Sequence, residues 1–568
     1  MNLRRLRTGS IIALPAALVF TGLSAPSAIS DSTPAQAPKA DSRPNIVLIL
    51  ADDLGWSDIS TGRTNMGTQS RFNETPALER LAAEGMAFNN AYASPTCTPS
   101  RAALLSGQYA PRKTNNIYQH GNSRGPLAAA PQGLPNGQLA LPNATLTMAE
   151  TLQSAGYATG YVGKFHVTRD ERSVTSSGGH GFDVNAGGSR YGHPARYHAA
   201  GGRFDVGSSG LDAYAGNYTQ AYVDKNIKPF SRATSPASMD ALVGTNKHLT
   251  DAVADATINF MQRHANRPFF AFMGQYAVHT PVTAQEARRD LLTKYRMKSR
   301  GPAEPSNPAY GALLEGLDQS VARIVRYLET TTDPREPGRK LADNTLVVFT
   351  SDNGGFKPAG ANNGPLRGMK ASLHEGGLRV PMIAWSKDAA LVHGGTINAT
   401  PVSNMDFYPT FAALAGATVP AQYPLDGVNL GGILTDPTAR LTRQSLFWHV
   451  PRYLVNQYYH QRPRSVMRSG KWKLAYSYEA RTWQLYDLAV DIGETRNLAK
   501  ERPDVVKDLG IKFLRWLDRM DAPLATVRTN VNIRVSGYTY ADGRIAAHRP
   551  NDIIRLKPGD EMPLIAGF

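Results

Sequence analysis

The chain has 568 residues, 41% of them hydrophobic and 19% charged, which excludes a mainly disordered or fibrous protein and allows a large buried core. A formal net charge of +16 points to an anionic partner, through steering of the kind a basic enzyme exerts on an acidic polymer. No basic helix with interleaved aromatics and no dense Lys/Arg run accompanies that charge, so it does not read as nucleic-acid binding.

Arg4, Arg5 and Arg7 precede an apolar run from Ile11 to Leu23, followed by the small residues Ala25, Ser27 and Ala28. A basic start, a short apolar centre and a small-residue end read as a secretory signal over 1–28, with its cleavage point unassigned. The run is shorter than the ~20 apolar residues a spanning helix needs, and Pro15 interrupts it. The expectation is an exported chain, periplasmic or secreted, with no stable membrane anchor. Residues 29–43 read as a disordered leader. Cys97 is the sole cysteine, so neither an internal disulfide nor a lipid-bearing cysteine behind the signal is possible.

Asn45 to Ala51 is a continuous apolar run, as in a strand buried on both faces, and it ends at Asp52-Asp53. Thr75-Pro76 opens a predicted helix with Leu78, Leu81 and Ala82 on one face and Gly85 as its stop. Leu146–Ala155 and Leu249–His264 read as further helices; Phe269–Tyr276, Thr345–Thr350 and Met382–Trp385 read as further buried strands. This alternation predicts an α/β fold, a large, mostly parallel sheet sandwiched by helices, over residues 44–439. Over 440–525, short strand-like pieces at Ser465–Met467, Trp472–Leu474 and Gln484–Tyr486 precede a helix near Val505–Leu517, which predicts a small α+β subdomain with an antiparallel sheet. Residues 526–568 read as a turn-rich extension without a legible role.

Ligands in open α/β sheets bind beyond the carboxyl ends of strands. Asp52-Asp53 closes one buried strand and Asp352-Asn353 another, and an all-oxygen donor set of this kind suits a hard cation such as calcium or magnesium. Cys97 precedes a helix-like Ala102–Leu105, with Thr98 as its expected cap, Pro99 at its first position and Gly107 as its stop. A helix N-terminus favours an anion, and Arg101, one turn on, is expected to offer a guanidinium fork to sulfate or phosphate.

The run Cys97-Thr98-Pro99-Ser100-Arg101 resembles the C-x-P-S-R signature of the type I sulfatases of the alkaline-phosphatase-like superfamily. Other motifs similar to that family follow in order: N-I-V-L-I-L-A-D-D-L-G-W at 45–56, G-K-F-H at 163–166, V-H-T-P at 278–281, S-D-N-G-G at 351–355, L-R-G-M-K with E-G-G-L-R-V-P at 366–381, and the run from 468 to 498. Residues 44–520 carry the resemblance; G-K-F-H-V-T stands where many members have G-K-W-H-L-G.

The resemblance implies that a formylglycine-generating maturation enzyme oxidises Cys97. It also implies that Asp52, Asp53, Asp352, Asn353 and position 97 hold one calcium ion. Arg101 and Lys164 then lower the cost of an alkoxide that attacks the ester sulfur, Lys370 and His279 bind sulfate and protonate the leaving alcohol, and His166 takes the proton that expels sulfate. A sulfated poly- or oligosaccharide is the expected substrate; small aryl or alkyl sulfates, or phosphate and phosphonate esters, are alternatives on the same fold. A non-catalytic binder of sulfated glycans is a further one. His374, His180, His193 and His120 carry weaker signals. Tyr118-Gln119-His120 and the stretch from Gly178 to Gly202 read as ordinary loops, with pocket lining as the other reading.

Overall fold

The computed structural model describes residues 42–567 except 119–124, 134–138, 176–178 and 300–303. The signal expected over 1–28, most of the leader and Gln119-His120 lie outside the described residues. Nine strands form the main sheet: β1 (Asn45–Ala51), β2 (Met86–Tyr92), β3 (Ala158–Gly163), β4 (Val184–Ala186), β5 (Phe269–Gly274), β6 (Thr345–Ser351), β7 (Arg379–Trp385), β8 (Thr396–Asn398) and β9 (Val402–Ser403). Their order is β9-β2-β7-β6-β1-β5-β3-β4, with β8 also paired to β2. Only β7 runs antiparallel to its neighbours, β2 and β6.

The apolar run of β1 is continuous because both its faces are covered. Val47, Ile49 and Ala51 join one core cluster, whereas Ile46, Leu48 and Leu50 join another on the opposite face. The first is closed by α1 (Pro76–Glu84), α4 (Leu249–His264) and α5 (Pro308–Thr330); the second by α2 (Cys97–Ser106), α3 (Met148–Ser154) and α6 (Phe407–Leu414). A mostly parallel sheet between helical layers is the fold class expected. Thr147 and Glu150 form a capping box that starts α3 inside the expected range.

Helix α2 starts earlier than expected. Cys97 is its first residue and Thr96 the extended N-cap, because the carbonyl of Thr96 already accepts from the Ser100 N–H at 3.2 Å. Pro99 therefore stands third, still among positions whose N–H has no intrahelical partner. Gly107, at φ 66, ends the helix as read.

A second sheet, antiparallel throughout, contains β10 (Ser445–Val450), β11 (Arg464–Ser469), β12 (Trp472–Ser477) and β13 (Thr482–Asp487) in that order. Helix α7 (Pro503–Met520) lies over it, and Trp516 stacks on Phe447 at 4.9 Å with a 6° interplanar angle. The turn-rich expectation for 526–568 is overturned. Residues Val531–Ala541 (β14) and Arg544–Leu556 (β15) form a long hairpin, with Leu564–Ala566 (β16) added beside β14. Alternation in β14 buries Ile533 and Val535 while Asn532 and Arg534 face solvent. Asp542 and Gly543, both at positive φ, supply the tight hairpin turn that an Asp-Gly pair favours. Among the described residues no helix is long and apolar enough to cross a membrane.

Candidate active site

Strands β6, β1, β5 and β3 are adjacent and parallel, and their carboxyl ends are level. Ala51 pairs with Ser351, Leu50 with Gly274, and Gly163 with Gly274. The chain beyond these ends delivers Asp52-Asp53 from β1, Asp352-Asn353 from β6, Lys164 and His166 from β3, and His279 from the segment after β5. Gly163 is at φ 94, and a Cβ there would lie 2.0 Å from the Gly274 carbonyl oxygen, so only glycine lets β3 turn into Lys164 this close to β5. Helix α2 contributes Cys97. The loop carrying Lys370 docks beside it, the Ala371 N–H donating to Pro95 at 2.6 Å and that of Lys370 to Gly355 at 3.1 Å.

The side chains of Asp52, Asp53, Asn353, Cys97, Lys164, Lys370 and His279 meet. Lys164 Nζ donates to Asp52 Oδ2 at 2.5 Å, and Lys370 Nζ reaches Asp53 Oδ2 at 2.8 Å and Cys97 Sγ at 3.4 Å. Cys97 Sγ stands 3.6 Å from Asp52 Oδ1, and its residue is 4% exposed. His279 Nε2 lies 3.6 Å from Asp53 Oδ2, while its Nδ1 faces the Thr280 carbonyl at 2.9 Å. Asn353 Nδ2 donates to Asp53 Oδ1 at 2.8 Å. His166 follows Lys164 by two residues, with its ring against Gly192, where a Cβ would meet it at 2.3 Å. Asp53, His166 and Ala371 all adopt positive φ, a backbone cost of the kind that gathers at functional sites.

The two adjacent carboxylates diverge electrostatically. Burial, then repulsion from Asp352, pushes the Asp52 carboxyl well above its ordinary value despite Lys164. Burial acts on Asp53 in the same sense, but Lys370, His279 and Lys164 together override it and hold that carboxyl far below the usual range. Burial and the Lys370 charge lower the basicity of His279, against the pull of Asp53.

Arg101 is placed differently from the expectation of a fork open to an anion. It is 1% exposed; its Nε and Nη2 both lie 2.9 Å from Asp352 Oδ2, and its Nη1 donates to the Lys164 carbonyl. Its guanidinium therefore fixes Asp352 and the start of the Lys164 loop. The difference comes from Asp352, whose carboxylate, together with the Lys164 carbonyl, draws the guanidinium into the sheet ends.

Of the stretch expected from Gly178 to Gly202, the residues around 192–193 lie against both site histidines. His193 stacks on His279 at 6.0 Å, and Gly192 abuts His166. His180 is a buried packing residue stacked on Phe165, with burial lowering its pKa to about 4. His374 belongs to a neighbouring cavity described below. Sequence reasoning did not single out Tyr197 or Tyr161. Tyr197 OH bonds the carbonyls of Tyr276 and His279 at 2.7 and 2.8 Å, and Tyr161 OH bonds that of Lys164. Tyr197 acts on backbone about 80 residues away in the chain, which no spacing reveals, whereas Tyr161 acts on a carbonyl three residues on, inside the strand that reads only as buried.

The donors fit a hard divalent cation. Asp52, Asp53, Cys97 and His279 offer ligand atoms all within 4.8 Å of one another. The buried Oδ1 of Asn353 has no hydrogen-bond partner among the described residues, an acceptor left over beside two buried carboxylates. Asp352 Oδ1 lies 3.3 Å from the Asp53 N–H at the same edge.

Comparison with known proteins agrees with this geometry. A family model described as Sulfatase matches residues 44–417, and one described as N-sulphoglucosamine sulphohydrolase, C-terminal, matches 369–516. A sulfatase of Formosa agariphila is 36% identical over 516 residues, covering 85% of this chain and 90% of that protein. The N-acetylgalactosamine-6-O-sulfatase of Bacteroides thetaiotaomicron is 28% identical, covering 82% and 92%. The crystal structure of Ps i-CgsB in complex with k-i-k-neocarrahexaose superposes with a TM-score of 0.61 at 27% identity, covering 84% of this chain and 92% of that one.

Proposed function

This chain belongs to the sulfatase family and hydrolyses sulfate esters, and from that premise we propose that it is an exported, formylglycine-dependent enzyme acting on a sulfated poly- or oligosaccharide with one calcium ion. The observation that carries the reading is the setting of the only cysteine, buried at the first position of α2 between Lys370 Nζ and Asp52 Oδ1. Its Sγ marks the place of the oxygens that the modified residue presents. Converted to formylglycine by a maturation enzyme, position 97 supplies a hydrated aldehyde, one hydroxyl for attack on sulfur and a second whose deprotonation releases sulfate.

The surrounding residues divide the remaining work. Asp52, Asp53, Asp352, Asn353 and position 97 hold calcium, which supplies positive charge for sulfate oxygens. Lys164 and Lys370 flank position 97 and bind the anion as it arrives. Arg101 acts through Asp352, holding its carboxylate oriented toward the site. His279 presents Nε2 to the site while Thr280 holds its other nitrogen, and its lowered basicity makes its protonated form a better donor to a sugar alkoxide. His166 accepts the proton whose removal restores the aldehyde.

A carbohydrate substrate is supported by the +16 charge and by the relatives, one named for a sulfated amino sugar and one holding a neocarrahexaose. Residues 44–439 form the catalytic domain and 440–525 its appended subdomain in this reading, with 526–568 as an extension.

The deciding experiment is peptide mass spectrometry across residue 97 on protein made with a formylglycine-generating partner, paired with a panel of sulfate and phosphate esters. Exchange of the thiol for a carbonyl is expected as a loss of about 18 Da, with selective turnover of the sulfate esters. An unmodified thiol in active protein would overturn the nucleophile, and a preference for phosphate esters would overturn the substrate class.

Asn353→Ala tests the metal site. Removing the unpartnered Oδ1 is expected to weaken calcium retention about tenfold or more, in the range for loss of a metal-site group. Elemental analysis after dialysis against graded chelator measures it, and wild-type retention would refute Asn353 as a ligand.

A further inference from the structure

Beyond Lys370 the site opens into a cavity of about 420 Å³ between the loop Arg367–His374 and residues 458–464. The second wall is a short hairpin, Leu454–Val455 with His460–Gln461, running into β11. Leu373 N–H donates to Gln461 Oε1 at 3.2 Å and ties the two walls together. Tyr459 packs on Phe356 at 5.5 Å, whereas Tyr458 leaves 46% of its surface exposed.

Arg464 is half-buried in this cavity and is oriented by neutral groups. Its Nη1 donates to His374 Nε2 at 3.2 Å and its Nη2 to Gln484 Oε1. A guanidinium only donates, so His374 Nε2 must accept and the ring proton sits on Nδ1, facing Glu494 Oε1 at 3.2 Å. Burial keeps His374 below its ordinary pKa, with Glu494 opposing. Glu494 is engaged in turn by the Glu375 N–H at 2.6 Å and by Lys473 Nζ at 3.1 Å. Arg367, at the mouth, donates to the Glu494 backbone carbonyl at 3.1 Å. Among the described residues neither Arg367 nor Arg464 pairs with a carboxylate, whereas Arg462 on the rim is paired with Glu479 at 2.6 Å. Arg464 feels the charge of Glu494 without touching its carboxylate, and Arg367 is exposed at the mouth, so both guanidinium groups keep N–H donors that an anion in the cavity can take.

We propose that Arg464 and Arg367 form a second oxyanion subsite, which recognises another sulfate or a uronate carboxylate on the same carbohydrate beside the ester cleaved at position 97. The inference rests on the sulfatase reading and narrows its substrate to sugars with more than one negative group. Tyr458 offers the exposed ring face on which the intervening sugar lies. Guanidinium recognition suits both anions, because its parallel N–H groups match sulfate and carboxylate oxygens.

The test is calorimetric titration, in excess calcium, of the Cys97→Ala chain with three disaccharides: monosulfated, disulfated, and monosulfated with a uronate. A second anion is expected to tighten binding about tenfold or more over the monosulfated sugar. Whichever of the two gains affinity identifies the group. Arg464→Gln is expected to bring that ratio to about one, and Arg464→Lys to retain part of it. Equal affinity for all three sugars, or a ratio that survives Arg464→Gln, would overturn the subsite. Circular dichroism checks the fold, and Arg367→Gln provides the same reading if the Arg464 variant does not fold. Sulfate release from the same three disaccharides by the unmutated, formylglycine-bearing enzyme is measured separately. Its absence, with the binding ratio intact, would sink the sulfatase reading and leave the subsite standing.

Discussion

Cys97→Ala is expected to reduce sulfate-ester turnover by about 10⁴-fold or more while leaving the folded structure and its unfolding midpoint near those of the parent. The size follows from what is removed. The site offers no other side chain at the first position of α2, and the flanking cations Lys164 and Lys370 only bind and polarise the ester. Lys370 Nζ is already within 2.8 Å of Asp53, so it has no freedom to act as a substitute nucleophile. The small structural cost follows from the contacts. Sγ touches Asp52 at 3.6 Å and Lys370 at 3.4 Å, and neither group depends on it for its main partner, which is Lys164 for Asp52 and Asp53 for Lys370. Steady-state kinetics with 4-nitrophenyl sulfate, alongside denaturant unfolding of both chains, makes the comparison. Residual turnover above about one part in a hundred of the parent would remove Cys97 from the reaction, since loss of a nucleophile leaves far less.

Much of this site was legible before any coordinates, for a physical reason. Parallel strands buried on both faces must be apolar throughout, so Asn45–Ala51 and Thr345–Ser351 stand out, and the first charged residues after them mark the carboxyl edge of the sheet. That edge is where Asp52, Asp53, Asp352 and Asn353 belong. Direction was harder to read than position. Arg101 was placed on the right helix and the right face, but whether its guanidinium turns to solvent or into the sheet depends on Asp352, 251 residues away. Tyr197 escaped notice on the same ground, acting through its hydroxyl on the carbonyls of Tyr276 and His279. The terminal hairpin is a different case. Its alternation in Val531–Ala541 and its Asp542-Gly543 turn are local signals, masked by the exposed, polar composition of the partner strand Arg544–Leu556.

The internal position of Arg101 carries the second large expectation. Arg101→Met, measured on chelator-treated protein, is expected to lower the unfolding free energy by about 3–5 kcal/mol, the range for removing one partner of a buried ion pair. Asp352 is 0% exposed and already raises the proton affinity of Asp52, so without the guanidinium three carboxylates share a buried edge with only Lys164 and Lys370. Arg101→Lys recovers only part of the loss, because an ammonium cannot hold Asp352 and the Lys164 carbonyl together as the fork does. The informative partner is the double variant Arg101→Met/Asp352→Asn. It removes both charges, and it should recover most of the stability lost in the single variant while remaining poor at retaining calcium. A single variant that unfolds like the parent would mean that the Arg101–Asp352 contact adds nothing to the stability of the apo-protein. A double variant as unstable as the single one would locate the cost in lost packing of the Arg101 stem rather than in an uncompensated charge.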